Sequence, residues 1–171
     1  HSGFALLGAL SGWILALGWM ADPNALALHT FYKARLVRAY LGASNKERRT
    51  RSHDISEPDP SDDVTMASLR NNSKLGGPYH LVNTTLNLVG GRDLITAQRS
   101  AASFVMASRY CGSLRTGFRP TETYMRGALT LGAAVATSGA AVSPNMGSAT
   151  PSAALALLLG ALNVRLGLWV P

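Results

Sequence analysis

The chain has 171 residues, of which 47% are hydrophobic and only 15% charged, and its formal net charge at pH 7 is +7. This length suits one domain with a sizeable core and argues against two. The single cysteine, Cys111, excludes an internal disulfide and a zinc site built from several cysteines, and we expect it to be a buried, inert thiol. The positive charge favours an anionic partner. Because no zinc-finger motif and no glycine-rich phosphate loop accompanies it, we expect lipid rather than nucleic acid.

Residues 3–21 (GFALLGALSGWILALGWMA) carry no charge and predict a hydrophobic helix. At about 1.5 Å per residue this helix is about 28 Å long, close to the hydrocarbon thickness of a bilayer. Trp19 lies near its end, where membrane interfaces favour tryptophan. We therefore expect a membrane-associated, transmembrane-like helix, with a buried core helix as the alternative.

A second helix is predicted from Pro23 to Leu41. Asp22 and Pro23 are typical of a helix start, and Gly42 is typical of a helix end. One apolar stripe follows this helix at Ala27, Phe31, Ala34, Val37 and Leu41.

The charges then separate along the chain. Residues 33–51 hold seven basic residues against Glu47 alone, which is typical either of a cytoplasmic flank that binds anionic headgroups or of a solvated loop. Residues 54–63 hold five acidic residues and no basic one, in a spacing that matches no metal-binding loop. We expect a charged, flexible linker over residues 43–77.

Residues 78–89 (PYHLVNTTLNLV) predict a strand with one more apolar face. Val82, Thr84, Leu86 and Leu88 lie on one face, and they alternate with Leu81, Asn83, Thr85 and Asn87 on the other. Gly90-Gly91 predicts a turn, and residues 102–107 (ASFVMA) predict a second strand.

The remainder alternates turns with apolar helices. Residues 109–120 are rich in turn residues, and Thr121 is placed to cap a helix that runs to Thr137 and ends at Gly139. Residues 152–164 predict a second apolar helix that is too short to span a bilayer. The order of helices, strands and helices favours an α/β fold.

The segment 127–164 holds no charged residue in 38 positions. Pro144 and Pro151 interrupt it, so it cannot form one spanning helix. Its first half is rich in glycine and alanine, which let backbones approach closely. We expect it to form either a crowded core helix or the tight turn beneath an active site.

Two weak motifs suggest serine hydrolase chemistry. Ser138 lies in Ala-Thr-Ser-Gly-Ala, a degenerate form of the nucleophile elbow, although it closes a predicted helix instead of opening one. Its base would be His53 or His80, and a structural serine is the alternative. Gly90 and Gly91 could donate backbone N–H groups to an oxyanion, and a hairpin turn is the alternative.

Several phrases between residues 28 and 171 resemble the patatin-like phospholipases, and more narrowly a bacterial, membrane-associated branch of them. They are LHTFYKARLVRAYLG, PYHLVNTTLNL, FVMASRYCGS, TGFRPT, TLGAAVATSGAAVSPNMG and LNVRLGLWVP. In that family a helix runs into a small-residue Ser-x-Ala-x-x-Pro phrase, which is similar to SGAAVSP at residues 138–144, with one extra residue before the proline.

The resemblance implies hydrolysis of lipid acyl esters by a Ser-Asp dyad. The family places the Ser in Gly-x-Ser-x-Gly, the Asp in Asp-Gly-Gly or Asp-Gly-Ala, and the oxyanion hole in a separate glycine-rich loop; this sequence contains none of the three intact. By order along the chain, the Ser and the loop would precede residue 1 and the Asp would follow residue 171. Because the sequence also begins without Met, we expect a central part of a longer chain.

These considerations predict an incomplete patatin-like α/β sheet with packed helices. Residues 1–42 would form the hydrophobic and amphipathic helices, 43–77 the linker and 78–171 the partial hydrolase domain. The favoured function is part of a lipolytic acyl hydrolase. The alternatives are a self-contained small esterase that uses Ser138, and a non-catalytic protein that binds anionic lipid.

The expected partners are an acyl-ester substrate and a membrane surface, the latter contacted through residues 3–21 and the basic residues of 33–51. We expect the protein to be membrane-associated with most of the chain in the cytoplasm. No cofactor, metal or nucleic acid is expected.

Overall fold

The computed structural model describes residues 2–20, 27–45, 59–70, 78–88, 101–140, 152–168 and 170. Within these residues helices accompany a four-stranded antiparallel sheet, so the combination of helices and sheet predicted from the sequence is confirmed. The helices are α1 (Ser2–Met20), α2 (Leu28–Leu36), α3 (Leu131–Ser138) and α4 (Ala153–Ala161). The strands are β1 (Leu81–Asn87), β2 (Ala101–Ala107), β3 (Tyr110–Ser113) and β4 (Gly117–Pro120).

The sheet is a meander in the order β1-β2-β3-β4. Val82 pairs with Met106, and Thr84 pairs with Phe104. Thr84 is buried and its hydroxyl donates to the Phe104 carbonyl oxygen at 3.1 Å, whereas Asn83 on the other face is exposed. The alternation predicted for β1 is therefore confirmed, because a period of two places every second side chain on the core face.

The stretch expected to be turn-rich, residues 109–120, instead contains a hairpin. Strands β3 and β4 pair antiparallel, and Ser113 lies opposite Gly117 where the hairpin closes. Gly117 has φ of 76°, a left-handed value that glycine adopts without steric cost. The two strands have four residues each, too few for an alternation pattern to be recognised in the sequence.

The helix expected to begin at Thr121 begins later. Thr121 is buried, and its hydroxyl donates to the Ala107 carbonyl oxygen at 2.7 Å instead of capping a helix. Met125 and Arg126 then adopt left-handed φ values of 50° and 57°, which no right-handed helix can include. Thr130 is the actual N-cap of α3, and its side chain accepts a hydrogen bond from the Ala133 N–H.

Helix α3 forms the centre of the packed part of the fold. It packs against both β1 and α2, and it contributes Ala133 and Ala134 to the core. The other members of this core are Met66, Phe104, Met106, Cys111, Tyr124 and Leu129. This part of the uncharged segment is therefore a crowded core helix, as its small residues predict, and Gly139 follows its last residue as expected.

Helix α2 is shorter at its start than predicted and is extended at its end. Residues 21–26, with the expected Asp22-Pro23 cap, lie outside the described part of the chain. After Leu36 the backbone continues through a wider turn, Val37–Leu41, and a tighter one, Gly42–Ser44. Of the expected apolar stripe, Val37 is buried, whereas Phe31 is exposed.

The flexible connection expected over residues 43–77 does not extend to residues 59–70. Met66 is fully buried, and its N–H donates to the Leu129 carbonyl oxygen at 2.9 Å. The Leu131 N–H in turn donates to the Val64 carbonyl oxygen at 2.8 Å. This segment is part of the packed structure, and residues 46–58 and 71–77 lie outside the described range.

Helices α1 and α4 expose most of their apolar side chains. Trp19 on α1 is 92% exposed and Leu157 on α4 is 76% exposed. In α4 the side chain of Ser152 caps the helix by accepting from the Leu155 N–H, so this helix forms where the sequence predicts it. Among the residues that the structure describes, however, no helix has both the length and the apolar character needed to cross a membrane. The association of residues 3–21 with a membrane stays a prediction.

Candidate functional site

Ser138, the candidate nucleophile, lies at the junction of α3 and β1. It is the last residue of α3, is exposed, and donates its hydroxyl hydrogen to the Asn83 carbonyl oxygen at 2.7 Å. A Cβ at Gly139, the next residue, would lie 2.7 Å from the Tyr32 hydroxyl of α2. Ser138 and Gly139 therefore lie where three elements of the fold meet.

Among the described residues, the hydrogen-bond partner of the Ser138 hydroxyl is a main-chain carbonyl oxygen and not a base. A nucleophilic serine needs a neighbouring base that takes its proton, and a main-chain carbonyl oxygen accepts a hydrogen bond without taking the proton. A nucleophile elbow also follows a strand and opens a helix, whereas Ser138 closes one. In this arrangement the hydroxyl connects the end of α3 to β1.

Of the remaining candidates from the sequence, only His80 lies within the described residues. Gly90, Gly91 and His53 lie outside the described residues, so an oxyanion loop at Gly90-Gly91 stays a prediction. His80 is exposed and precedes β1 by one residue instead of lying within it.

Cys111 is buried, as expected. Its sulfur lies 3.3 Å from the Thr121 hydroxyl oxygen. The Thr121 hydroxyl donates to the Ala107 carbonyl oxygen, so this hydroxyl can accept a weak hydrogen bond from the thiol. The contacts among Ala107, Cys111 and Thr121 thus connect β2, β3 and the turn after β4.

His29, a residue that the sequence did not single out, is buried on α2. Its Nδ1 lies 2.7 Å from the Leu166 carbonyl oxygen, and because a carbonyl can only accept, Nδ1 carries the hydrogen. Burial lowers the pKa of His29, the positive charges of Lys33 and Arg165 lower it further, and the bond to Leu166 opposes them. His29 is therefore a neutral connection between α2 and the C-terminal segment.

Asp63, at the end of the acidic run, connects α2 with the start of α3. Its Oδ2 lies 2.9 Å from the Lys33 ammonium, and its Oδ1 accepts a hydrogen bond from the Gly132 N–H at 2.9 Å. A carboxylate at a helix N-terminus is stabilised by the positive end of the helix dipole. The sequence predicted that this acidic stretch is solvated. Asp59 and Asp62, in the same stretch, are instead buried.

Tyr124 has a buried hydroxyl with no hydrogen-bond partner among the described residues. Its ring centroid lies 6.0 Å from that of Phe104 in the core. Burial raises the pKa of Tyr124 to about 12, with a further contribution from Cys111 and an opposing one from Arg119. The hydroxyl is thus held protonated in an apolar setting.

The described ranges contain no group of three or more His, Cys, Asp or Glu side chains that could hold a metal ion. The acidic residues of 59–63 instead make contacts within the protein, as Asp63 does with Lys33 and Gly132 and as Asp62 does with Asn45 at 2.8 Å.

Comparisons with known proteins add no relative. No protein-family model, no curated protein and no solved structure matches the chain.

Proposed function

We propose that residues 1–171 are part of a lipid acyl hydrolase similar to the patatin-like phospholipases. In this proposal the four strands belong to a larger patatin-like sheet, and α3 is the floor beneath the catalytic site. The Ser and Asp of the dyad are supplied by sequence outside residues 1–171. The substrate is a lipid acyl ester, and the protein works at a membrane surface with most of its chain in the cytoplasm.

The support comes from contacts between the phrases that resemble the family. The bond from the Ser138 hydroxyl to the Asn83 carbonyl oxygen joins the phrase TLGAAVATSG to the phrase PYHLVNTTLNL. The bond between His29 and Leu166 joins LHTFYKARLVRAYLG to LNVRLGLWVP. The phrases FVMASRYCGS and TGFRPT form the adjoining strands β2, β3 and β4. Phrases that are scattered along the sequence thus form one connected framework.

This framework suits a supporting role. A catalytic pair keeps its geometry only when packed secondary structure holds it, and α3 packs against both α2 and β1. Gly132 allows this packing, because a Cβ there would lie 2.7 Å from the Asp63 Oδ1. The Ser138 hydroxyl donates to the Asn83 carbonyl oxygen, so the proposal gives Ser138 a structural contact between α3 and β1 and no part in catalysis.

The experiment is activity-based labelling of the full-length protein encoded by the complete reading frame. A fluorophosphonate probe, which reacts with activated serines, is expected to label one serine outside residues 1–171, in a Gly-x-Ser-x-Gly context. The protein is also expected to release fatty acid from phospholipid vesicles. Ser138→Ala should keep both labelling and hydrolysis.

Two outcomes would contradict the proposal. A full-length protein that neither labels nor hydrolyses esters is not a serine lipid hydrolase. Labelling that maps to Ser138 and disappears in Ser138→Ala would identify the self-contained esterase instead.

A second candidate function is a non-catalytic protein that binds anionic lipid. It is favoured by α1, whose large apolar side chains, including Phe4 at 84% exposure, face outward. It predicts vesicle binding without any hydrolysis, and binding through the basic residues of 33–51 would weaken as salt is added. Vesicle binding that is unaffected by salt would argue against the electrostatic contribution.

A further inference from the structure

The β3–β4 hairpin presents an apolar tip to solvent. Leu114, in the turn between the strands, is 96% exposed, more than any other large hydrophobic side chain among the described residues. Phe118 and Tyr110 on the strands behind it are 55% and 56% exposed. Leaving three large apolar side chains in water is costly, at about 25 cal/mol per Å² of apolar surface.

The turn that carries Leu114 is held by its own hydrogen bonds. The Ser113 hydroxyl oxygen accepts from the N–H groups of Arg115 and Thr116, both at 3.1 Å. Gly117 closes the turn with its left-handed φ. The exposure of Leu114 is therefore fixed by a defined turn.

Tyr110 and Phe118 share the sheet face that points away from the core. Gly112 lies opposite Phe118, and Tyr110 lies opposite Pro120. The intervening Cys111 points the other way, into the core. Because alternate residues of a strand share a face, the two rings lie on one outward surface behind Leu114.

The charge around this surface has one sign. Residues 101–121 contain Arg109, Arg115 and Arg119 and no acidic residue. All three arginines are exposed, and Arg115 lies in the turn beside Leu114. Arg119 pairs with Cys111 and therefore lies on the other face of the hairpin from Phe118. The hairpin therefore combines an apolar tip, two aromatic rings and cationic side chains.

We propose that the β3–β4 hairpin, residues 110–120, docks on the surface of an anionic lipid bilayer. Leu114 enters the boundary between headgroups and acyl chains, and Phe118 and Tyr110 lie at the level of the headgroups. Arg115, beside Leu114 in the turn, binds a lipid phosphate. Aromatic rings favour the interface, and each cationic side chain near an anionic surface strengthens binding. This lipid-binding surface is separate from residues 3–21 and 33–51 and does not depend on the proposed hydrolase activity.

The apolar tip favours lipid over nucleic acid. Basic residues interleaved with aromatic rings are also typical of proteins that bind single-stranded nucleic acid. In such proteins the rings stack on bases, and an exposed aliphatic side chain at the leading end of the hairpin has no base to stack on. A bilayer buries Leu114 while the neighbouring Arg115 stays at the phosphates, as long basic side chains do at interfaces.

The test uses the whole chain with an environment-sensitive fluorophore at the tip. Leu114→Cys is labelled with a nitrobenzoxadiazole dye, and the wild type, whose Cys111 is buried, gives the background labelling. Vesicles of phosphatidylcholine with phosphatidylserine are compared with phosphatidylcholine alone, and co-sedimentation measures total binding in parallel. Thr85→Cys, at an exposed site on β1, is the matched label position.

We expect a blue shift of the dye at position 114 with anionic vesicles and little shift at position 85. Arg115→Gln should raise the lipid concentration for half-maximal shift about five-fold. Arg119→Gln removes the same charge from the other face of the hairpin and should leave that concentration nearly unchanged.

Three results would overturn the proposal. The first is co-sedimentation of the protein with no shift at position 114, which would assign binding to another surface. The second is an equal shift with phosphatidylcholine alone. The third is a shift with single-stranded oligothymidylate but not with vesicles, which would identify a nucleic-acid surface.

Discussion

The Lys33 ammonium lies 2.9 Å from the Asp63 carboxylate, and this pair connects α2 to the segment that precedes the core. The other oxygen of the same carboxylate accepts the Gly132 N–H at the start of α3. The Asp63 side chain thus binds the ammonium group of a residue on α2 and a backbone N–H group of α3 at the same time. Because both contacts are largely shielded from solvent, Asp63 should contribute more to stability than a surface ion pair.

Asp63→Asn is expected to lower the free energy of unfolding by about 1–2 kcal/mol, since it keeps the size of the side chain but removes the charge that binds Lys33 and the helix terminus. Chemical denaturation followed by circular dichroism measures the change. The control is Glu122→Gln, which breaks the exposed pair with Arg70 and should cost less than about 0.5 kcal/mol. Equal effects of the two substitutions would show that Asp63 is an ordinary surface acid.

Gly132→Ala is expected to destabilise the protein by about 1–3 kcal/mol, because the added methyl group would meet Val37 and the Asp63 carboxylate. In an open helix the same change would be stabilising. The matched control is Gly167→Ala, where a Cβ meets nothing within 4 Å. Thermal unfolding of both variants tests the prediction, and a Gly132→Ala protein as stable as wild type would show that α2 does not pack closely on α3.

Tyr124→Phe is expected to leave stability unchanged or raise it by up to about 1 kcal/mol, because it removes a buried hydroxyl that has no partner among the described residues. Tyr124→Ala should instead cost about 3–5 kcal/mol, since it leaves a cavity beside Phe104. The two free energies of unfolding are compared in urea. A large loss in Tyr124→Phe would mean that the hydroxyl does make a stabilising bond.

Stability is expected to fall as the solution is acidified below about pH 6.5, in part because of His29. Its pKa in the folded protein is below the ordinary value of 6.5, so between these two values the unfolded chain binds the proton and the folded chain does not. Above pH 6.5 both forms are neutral and the contribution is constant. Melting temperatures of wild type and His29→Gln at several pH values measure this component.

The control for His29 is His80→Gln, at an exposed position before β1. It should keep the pH dependence of the wild type, whereas His29→Gln should flatten it. A profile that is the same in wild type and His29→Gln would contradict the assignment.

The sequence predicted the elements whose signal is local. The alternation around Thr84 identified β1 and its buried face, and the small residues of α3 predicted a crowded core helix. The uncharged residues 3–21 predicted the helix α1. Ser152 lies at the start of α4, where a capping residue is expected. In each case a period or a cap acts within a few residues of the chain.

The errors arose where distant contacts decide the structure. Thr121 resembles a cap in sequence, but its hydroxyl binds the Ala107 carbonyl of a neighbouring strand. Asp63 belongs to a stretch that resembles a solvated linker, and its partners Lys33 and Gly132 are 30 and 69 residues away. No sequence pattern near Thr121 or Asp63 indicates these distant hydrogen-bond and ion-pair partners.

For the candidate site, the sequence placed Ser138 correctly at the end of a helix but could not identify its hydrogen-bond acceptor. That acceptor, the Asn83 carbonyl, is 55 residues away. His29 and Tyr124 were missed because neither lies in a chemical motif; their distinctive feature is burial, which depends on the whole fold. Gly90 and Gly91 stay predictions.

The contact between His29 and Leu166 spans 137 positions of the chain, and this sets the order of events during biosynthesis. At about 5–20 residues per second, a ribosome needs roughly 7–30 s to add that length. Throughout this interval α2 has been made but its C-terminal partner has not. During that interval the face of α2 that carries His29 lacks its native contact with the Leu166 carbonyl oxygen.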